Sequence, residues 1–542
     1  MKKMISLLFL VSLVACGSIE QKASPRLKGG AVVSPEPRAA EVGAQVLRDG
    51  GNAVDASVAT FFALAVTFPQ AGNLGGGGFM LISRGKEVEA LDYREKAPLS
   101  AHRDLYLDGK GSVVPGLSLK THLASGVPGS VRGMWEAHRR FGSLSWRRLL
   151  APAIRLAHEG IRLTKKEADR FSRGPDHGNF RKHFRGKGGE LFLQRDLAKT
   201  LSRIAEQGPD GFYRGETAKL IVTEMKRGNG QITREDLESY RAIWRKPVHG
   251  TYRGRDVYSM CPPSSGGIAV VQILNMVEGF PVLDHNSAQY LHLLAEIEKQ
   301  VFADRSVHLG DSDFVSVPSF LTSKTYAQKR ADHISLDRKT APKSISHGRG
   351  ESEETTHFSV VDRWGNGVSN TTTLNGSFGS GIVVDGAGFL LNNEMDDFSS
   401  KPGVPNMFGV TGGEANAIAA GKRMLSSMSP TFVFQEGKLW LVLGSPGGPT
   451  IITTVAQVIL NRIDHGMSLS EAVAAPRFHH QWPPRKAGDD SIRIEKEIRV
   501  ESLERWYTFD VRRIGDVQAI EINGGGVIGA PDPRGTGTVV YE

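Results

Sequence analysis

A strand–turn–strand pattern about two thirds of the way along the 542-residue chain constrains its fold more than any other feature. The run from Thr355 to Asp362 is largely β-branched or aromatic, which favours a β-strand. A turn that ends in Asn366-Gly367 follows, and a second strand-like run extends from Val368 to Leu374. The pattern therefore predicts a β-hairpin, and it places Thr355 at the start of the first strand.

The residues before Thr355 have the character of a cleavage site. Residues 339–354 are polar, contain Pro and Gly, and show no apolar period, which is typical of an exposed segment open to cleavage, although an ordinary surface loop has the same composition. Our hypothesis is that the chain is cut between Glu354 and Thr355. The new N-terminal Thr would supply a hydroxyl nucleophile and, in an α-amino group with a pKa of about 7.7–8.0, its base. From these residues alone, Thr355 can equally be one more strand threonine.

The remainder of the chain mixes helical and strand patterns and predicts an α+β protein. Residues 129–310 are mostly helical in pattern, as in the runs Trp146 to Glu159 and Ala288 to Arg305, and strands are predicted at Thr431 to Gln435 and at Leu439 to Leu443. A further strand is predicted at Gly388 to Leu391, before an acidic loop.

Four consecutive glycines, Gly75 to Gly78, invite comparison with a phosphate-binding loop. No Gly-Lys-Ser/Thr follows them, and the next run, Phe79 to Ile82, favours a strand rather than a helix. We therefore predict that these glycines allow close backbone packing.

The N-terminus has the pattern of an exported lipoprotein. Lys2 and Lys3 precede an apolar run that is too short to span a bilayer, so residues 1–15 are predicted to be a signal peptide. The sequence around Cys16 resembles a bacterial lipobox, in which the cysteine carries lipid, and residues 16–29 would then be a lipidated tether; an ordinary signal peptide with an incidental cysteine is the alternative. We expect a lipid-anchored protein of the periplasm or cell envelope, and Gly17 favours the outer membrane by resemblance to bacterial sorting patterns.

Composition argues against several other classes of function. The net charge of +9 is spread along the chain without an aromatic–basic motif, so no nucleic acid is predicted as a partner. If Cys16 carries lipid, Cys261 has no intrachain partner, and we predict that it packs in the core. His479-His480 lacks a third ligand at suitable spacing, so no metal site is predicted.

Several further residues could carry chemistry. Gly447 and Gly448 precede a predicted helix, where their N–H groups could stabilise an oxyanion or form a plain turn. Arg94 at a strand end could bind a carboxylate or form a surface salt bridge. Thr373 and Asn375, taken alone, are a strand threonine and a turn asparagine.

Four polar residues of the last third of the chain are equally open. Ser426 and Ser427 could cap a helix or turn, or bind a carboxylate. Glu394 and Asp397 could be solvated acids or partners of an ammonium group.

These residues form a constellation that resembles the γ-glutamyltranspeptidase family, whose members are also called glutathione hydrolases. The motifs that carry the resemblance are Thr355-Thr356-His357, Leu390-Leu391-Asn392-Asn393-Glu394-Met395-Asp396-Asp397-Phe398, Leu425-Ser426-Ser427-Met428-Ser429-Pro430 and Gly444-Ser445-Pro446-Gly447-Gly448. The resemblance also includes residues 51–79 and Tyr93-Arg94-Glu95, and so extends from about residue 30 to the C-terminus.

The resemblance implies an N-terminal-nucleophile hydrolase, with a four-layer αββα sandwich and a precursor that cleaves itself. Residues 30–354 would form the large subunit and residues 355–542 the small subunit of a heterodimer that stays together as one composite domain. The implied catalytic residues are Thr355, Thr373, Gly447 and Gly448. The implied ligands of the substrate are Arg94, Ser426 and Ser427 for its α-carboxylate and Asn375, Glu394 and Asp397 for its α-amino group.

The implied reaction passes through a γ-glutamyl ester on Thr355. Glutathione or another γ-glutamyl compound would be the donor, water or an amino acid or peptide the acceptor, and no metal or organic cofactor is implied. The sequence departs from the family at Phe408, where several bacterial relatives carry Tyr in a predicted lid, and at Pro449-Thr450, where many have Ser-Arg. The competing interpretations are a related acylase of β-lactam side chains and a non-catalytic surface lipoprotein.

Overall fold

The computed structural model describes residues 29–340, 355–401, 413–482, 490–524 and 526–542. The predicted signal peptide, the lipobox with Cys16 and all of the tether but Gly29, Glu354 of the scissile bond, and Phe408 lie outside the described residues. Within these ranges, none of the helices combines the length and the apolar character needed to cross a membrane.

The described chain contains helices and strands throughout. The helices are α1 Pro37–Arg48, α2 Ala53–Thr67, α3 Ser130–Phe141, α4 Trp146–Glu159, α5 Lys165–Arg173, α6 Phe180–His183, α7 Arg195–Gln207, α8 Asp210–Tyr213, α9 Gly215–Arg227, α10 Arg234–Ser239, α11 Gly266–Val277, α12 Ala288–His308, α13 Lys324–Ala331, α14 Thr450–Ile463 and α15 Leu469–Ala474. The strands are β1 Ala31–Ser34, β2 Gly77–Arg84, β3 Glu87–Asp92, β4 Ile161–Arg162, β5 Leu191–Phe192, β6 Ile243–Arg245, β7 Val248–Tyr252, β8 Arg255–Ser259, β9 Thr356–Val361, β10 Gly367–Thr373, β11 Thr431–Gln435, β12 Lys438–Leu443, β13 Phe478–His479, β14 Ser491–Ile494, β15 Thr508–Val511, β16 Gln518–Asn523, β17 Gly526–Pro531 and β18 Thr538–Tyr541.

Two large sheets form the centre of the molecule. One has the strand order β18-β1-β9-β10-β2-β3-β6 and the other β17-β16-β12-β11-β8-β7, and the sheets touch through β9 against β16 and β10 against β12. Helices α1 to α3 pack on the first sheet, whereas α11 packs on β7 and β8 of the second. This arrangement confirms the predicted four-layer αββα sandwich.

The central strands of the first sheet, β1, β9, β10 and most of β2, are buried on both faces. Along β2, Phe79 and Leu81 belong to the apolar core that includes the second sheet, whereas Met80 and Ile82 belong to the core formed with α1 to α4. Successive side chains of a strand point to opposite faces, so a strand between two apolar layers has a continuous apolar sequence. This explains why the run from Phe79 to Ile82 shows no alternation.

The predicted hairpin is confirmed as β9 and β10, which pair antiparallel with Thr356 opposite Thr372. Helix α4 and strand β11 have the predicted bounds. The predicted strand from Gly388 to Leu391 is wrong, because the backbone turns at Gly386 and Gly388, with φ of 76° and 77°, and only isolated bridges form, such as Leu391 with Gly75.

The four-glycine run brings two functional loops together. A Cβ atom on Gly75 would lie 2.0 Å from the carbonyl oxygen of Leu390, and one on Gly76 would lie 2.1 Å from that of Thr373. The glycines therefore permit the predicted close backbone packing. As a result, the acidic loop after Leu390 lies beside the end of β10.

Candidate active site

Thr355 lies immediately before β9, half-buried, and lines a small cavity of about 20 Å³. The other residues that line this cavity are Arg94, Thr373, Asn375, Glu394, Asp397, Ser426, Ser427, Met428, Gly448 and Ile451. The structure thus brings together nine of the ten residues that the sequence singles out, and the tenth, Gly447, is the chain neighbour of Gly448. Their individual roles stay predictions.

Arg94 is the central charge of the cavity, two residues beyond the end of β3. Its Nη1 lies 2.7 Å from Glu394 Oε2 and 3.5 Å from Glu95 Oε2, and its Nη2 lies 2.5 Å from Asp397 Oδ2. The Arg94 side chain is 1% exposed, so the alternative of a surface salt bridge is wrong for this residue. The predicted carboxylate ligand and the predicted amine ligands therefore form ion pairs with one another in this structure.

The acidic groups around Arg94 hold their protons more tightly than ordinary carboxyl groups. Burial raises the pKa of Glu394 and of Asp397 and raises that of Glu95 to about 8, although Arg94 opposes each shift. Burial disfavours the charged form of Arg94, but Glu394, Glu95 and Asp397 outweigh it and raise the pKa of its guanidinium. Among the described residues, Asp397 Oδ1 is buried without a hydrogen-bond partner, so this site can accept a further donor.

Thr373 and Asn375 connect the end of β10 to the acidic loop. The Asn375 N–H donates to Thr373 Oγ1 at 2.7 Å, and Asn375 Nδ2 donates to the Asn393 carbonyl at 2.9 Å. Thr373 also favours the ionised form of Glu394 and so lowers its pKa, against the larger effect of burial. Asn375 has a φ of 73°, a left-handed conformation that Asn tolerates better than most residues.

The two serines lie in a loop that is tied to the start of α11. Both the N–H and the Oγ of Ser265 donate to the Ser426 carbonyl at 2.7 Å. Ser426 Oγ accepts from the Met428 N–H at 3.2 Å, and Ser427 Oγ accepts from Arg305 Nη2 at 3.4 Å. Both serine oxygens are thus hydrogen-bond acceptors within the protein.

Gly447 and Gly448 precede α14, as the sequence predicts. Their φ values of 131° and 57° are accessible mainly to glycine. In the part of the chain that the structure describes, their N–H groups donate to no protein acceptor. Thr450, in the segment that departs from the family, donates its hydroxyl to the Gly447 carbonyl at 2.8 Å. Two oriented donors before a helix N-terminus can stabilise a developing oxyanion.

Sequence reasoning missed some residues of this region. Glu95 was quoted only as part of a motif, Met428 and Ile451 complete the cavity wall, and Arg305 contacts Ser427 from α12. No sequence signal identifies Arg305, because α12 is buried from Tyr290 to Ser306 and shows no polar face.

The remaining candidate groups have structural environments. His479 contacts Thr453 and Gln481, and His480 contacts Asp490 at 2.6 Å. Among the described residues, no three potential ligands are grouped to hold a metal ion. Cys261 is buried, as predicted, and burial raises the pKa of its thiol to about 12.

Comparisons with known proteins point to one family. The family profile described as gamma-glutamyltranspeptidase matches residues 39–541. A protein of Pseudomonas aeruginosa named "glutathione hydrolase proenzyme" is 49% identical over 527 residues, which cover 94% of each chain.

Solved structures with the same architecture include a γ-glutamyltranspeptidase and an acylase. The γ-glutamyltranspeptidase from Pseudomonas nitroreducens, complexed with L-DON, is 47% identical with a TM-score of 0.57, and the match covers 59% of this chain and 98% of that one. The cephalosporin acylase from Bacillus halodurans is 28% identical with a TM-score of 0.84, over 99% of this chain and 100% of that one. Because the family profile and the P. aeruginosa relative each extend over most of the sequence, this chain belongs to the γ-glutamyltranspeptidase family.

Proposed function

We propose that the chain is a proenzyme that cleaves itself between Glu354 and Thr355 and then transfers γ-glutamyl groups from glutathione or other γ-glutamyl amides to water, amino acids or peptides. The observation that carries the proposal is the cavity in which Thr355 accompanies Arg94, Glu394 and Asp397. The name of the P. aeruginosa relative, a glutathione hydrolase proenzyme, supports the same activity.

The charges of the cavity match a γ-glutamyl group at both ends. The α-carboxylate of the donor can pair with Arg94, and its α-ammonium group can pair with Glu394 and Asp397. Each of these side chains is buried, so a buried charge that loses its present partner must gain another. An ammonium group has three donors, and the buried Oδ1 of Asp397 is one acceptor for them.

The reaction then uses the two functional groups of Thr355. The α-amine takes the proton from Oγ as Oγ attacks the γ-carbonyl carbon, and the carbonyl oxygen becomes an oxyanion that the N–H groups of Gly447 and Gly448 can stabilise. When the amide C–N bond breaks, the ammonium of Thr355 returns its proton to the leaving amine and a γ-glutamyl ester remains. Water or an acceptor amine attacks this ester, its proton passes to Oγ, and Thr355 is regenerated.

Processing can be tested on a denaturing gel. We expect two bands, and N-terminal sequencing of the smaller band should read Thr355-Thr356-His357. A single uncut band from active preparations would contradict the proposed cleavage, and a single band without activity would favour a non-catalytic surface lipoprotein.

A β-lactam side-chain acylase is the second candidate function, because the B. halodurans cephalosporin acylase matches over nearly the whole chain. A glutaryl side chain carries the carboxylate of a γ-glutamyl group but lacks its amine. It would occupy Arg94 and leave Glu394 and Asp397 without a cationic partner, which disfavours it. Release of 4-nitroaniline from γ-glutamyl 4-nitroanilide should therefore exceed cleavage of glutaryl-cephalosporin, and the opposite ranking would favour the acylase.

We also propose that the mature protein is anchored by lipid on Cys16, at the outer membrane of the cell envelope. The support is the sequence alone, in the two lysines, the short apolar run and the lipobox-like segment. Cys16→Ser should move the protein from the membrane fraction to the soluble fraction, and the wild-type protein should take up labelled palmitate. Membrane association unchanged in Cys16→Ser would contradict this anchor.

A further inference from the structure

Arg305 is a second buried arginine next to the cavity, near the end of α12. Its side chain is 3% exposed, which is rare for an arginine and requires compensation by hydrogen bonds or charges. Its Nε donates to Ser265 Oγ at 2.9 Å, and its Nη2 donates to Ser427 Oγ at 3.4 Å. Ser427 is one of the predicted carboxylate ligands, and Ser265 is hydrogen-bonded to the backbone of the other, Ser426.

The contact with Arg305 determines whether the Ser427 hydroxyl acts there as a hydrogen-bond donor or as an acceptor. A guanidinium group has five N–H donors and no acceptor, so Ser427 Oγ can only accept in this contact. The Ser427 proton is therefore directed to an acceptor other than Arg305, which is the polarity that a carboxylate ligand needs. Ser426 shows the same polarity, because its Oγ accepts from the Met428 N–H.

The second contact of Arg305 acts on the backbone of the same loop. Ser265 Oγ accepts from Arg305 and donates its own proton to the Ser426 carbonyl at 2.7 Å. Without Arg305, the Ser265 hydroxyl could donate its proton in either of two directions. Because Arg305 donates to Ser265 Oγ, the hydroxyl proton is directed to the Ser426 carbonyl. The position of Ser426 is thus coupled to Arg305 through Ser265.

Arg305 also acts on Asp397, although less strongly than Arg94. The positive charge of Arg305 helps to hold Asp397 ionised against the burial that raises its pKa, and Arg94 contributes more to the same effect. Burial lowers the pKa of Arg305 itself to about 10, so the side chain stays charged at neutral pH.

We propose that Arg305 is a positioning residue that orients Ser427 and, through Ser265, Ser426 for binding the α-carboxylate of the donor. This inference rests on the proposed function, since the carboxylate is that of a γ-glutamyl group. Arg305 touches no substrate atom in this scheme. Its contribution to carboxylate binding therefore passes through the two serines.

A double-mutant cycle tests this dependence. We would measure kcat/KM with γ-glutamyl 4-nitroanilide for wild type, Arg305→Met, Ser427→Ala and the double variant, each corrected for the amount of processed enzyme on a gel. Hydrogen bonds to charged groups predict that each single change lowers kcat/KM roughly 10- to 100-fold, mainly through KM. Because both changes interrupt the contact between Arg305 and Ser427, the loss in the double variant should be clearly smaller than the product of the two single losses.

Arg330→Met provides the matched control. Arg330 contacts Asp304, the residue before Arg305 on the same helix, and does not line the cavity. Its effect should multiply with that of Ser427→Ala, as expected for independent changes. Losses that multiply for Arg305 and Ser427 as well would overturn the proposal.

Ser265→Ala keeps the test decisive if Arg305→Met is not processed. This small change removes the acceptor of Arg305 Nε and should raise KM several-fold without blocking maturation. A processed Ser265→Ala enzyme with wild-type KM would refute the link from Arg305 to Ser426. If wild type itself releases no nitroaniline, it is the proposed function that fails.

Discussion

Asp397→Asn is the substitution that most directly tests how the cavity reads its substrate. The change keeps the size and shape of the side chain and removes one charge. Asp397 pairs with Arg94 at 2.5 Å and is 8% exposed. Arg94 keeps Glu394 at 2.7 Å and Glu95 at 3.5 Å in the variant, so no buried charge is left without a partner and the protein should still fold and mature.

The loss of substrate binding follows from the contact that disappears. The α-ammonium of the donor loses one charged acceptor of two, and a hydrogen bond to a charged group contributes about 1.5–3 kcal/mol. This corresponds to a rise in KM of roughly 10- to 150-fold, since about 1.4 kcal/mol is a factor of ten. The contact exists in the ground state and the transition state alike, so kcat should change much less than KM.

The assay compares two ligands that differ only in the amine. Initial rates with γ-glutamyl 4-nitroanilide give KM, and glutaryl 4-nitroanilide, added as a competitive inhibitor of that reaction, gives an inhibition constant. The glutaryl group brings no ammonium to Asp397. The inhibition constant of glutaryl 4-nitroanilide should therefore stay within about threefold of the wild-type value or improve. A side chain that makes no contact with the ligand rarely changes the free energy by more than about 0.5 kcal/mol. An equal weakening of both ligands would refute the assignment of Asp397 to the amine end.

Changes at three further residues probe the nucleophile, the oxyanion donors and the buried acid. Thr355→Ala should leave a single uncut band on a denaturing gel, whereas Thr355→Ser, which keeps a hydroxyl, should still be processed in part. Gly448→Ala forces a side chain onto a φ of 57° and should lower kcat by roughly 10²–10³ with a smaller change in KM, as the loss of an oxyanion donor does. Burial raises the pKa of Glu95 to about 8. Between about pH 4.3 and pH 8 the folded state therefore holds a proton that the unfolded state has released. The free energy of unfolding of the wild-type protein should fall as pH rises through this range. Glu95→Gln should flatten the dependence of the melting temperature on pH between about 4.3 and 8, and an unchanged slope would show that Glu95 is not the group responsible.

Local patterns predicted the elements of the fold that depend on local chemistry. The hairpin of β9 and β10 and the bounds of α4 follow from propensity and period, because the residues that decide them are neighbours in sequence. The strand predicted at Gly388 to Leu391 was wrong because glycines with positive φ reverse the chain there, and the sequence does not reveal the sign of φ. The turns at Gly386 and Gly388, rather than the composition of the run, therefore decided that no strand forms there.

The site could not be assembled from local patterns. Arg94 and Asp397 are 303 positions apart, and each taken alone is better explained as a surface charge. The resemblance to a family brought them together, and the structure shows that they are in contact. Arg305 carried no pattern at all, because a charged residue in the buried part of a helix, from Tyr290 to Ser306, has no period to mark it.

The ion pairs of the cavity suggest why a donor must carry both charges. With Arg94 already paired to Glu394 and Asp397, a γ-glutamyl group can enter only by separating these pairs. A donor with a carboxylate and an ammonium group gives Arg94 a new anionic partner and gives Glu394 and Asp397 a new cationic partner. A donor with one charged end pairs with only one of these sides. It leaves the other side buried and unpaired, at a cost of about 3–5 kcal/mol. On this proposal, the cavity selects its donor by charge before it selects by shape. A glutaryl group, or any other donor without the amine, separates the ion pairs of Arg94 but supplies no new cation for Glu394 and Asp397.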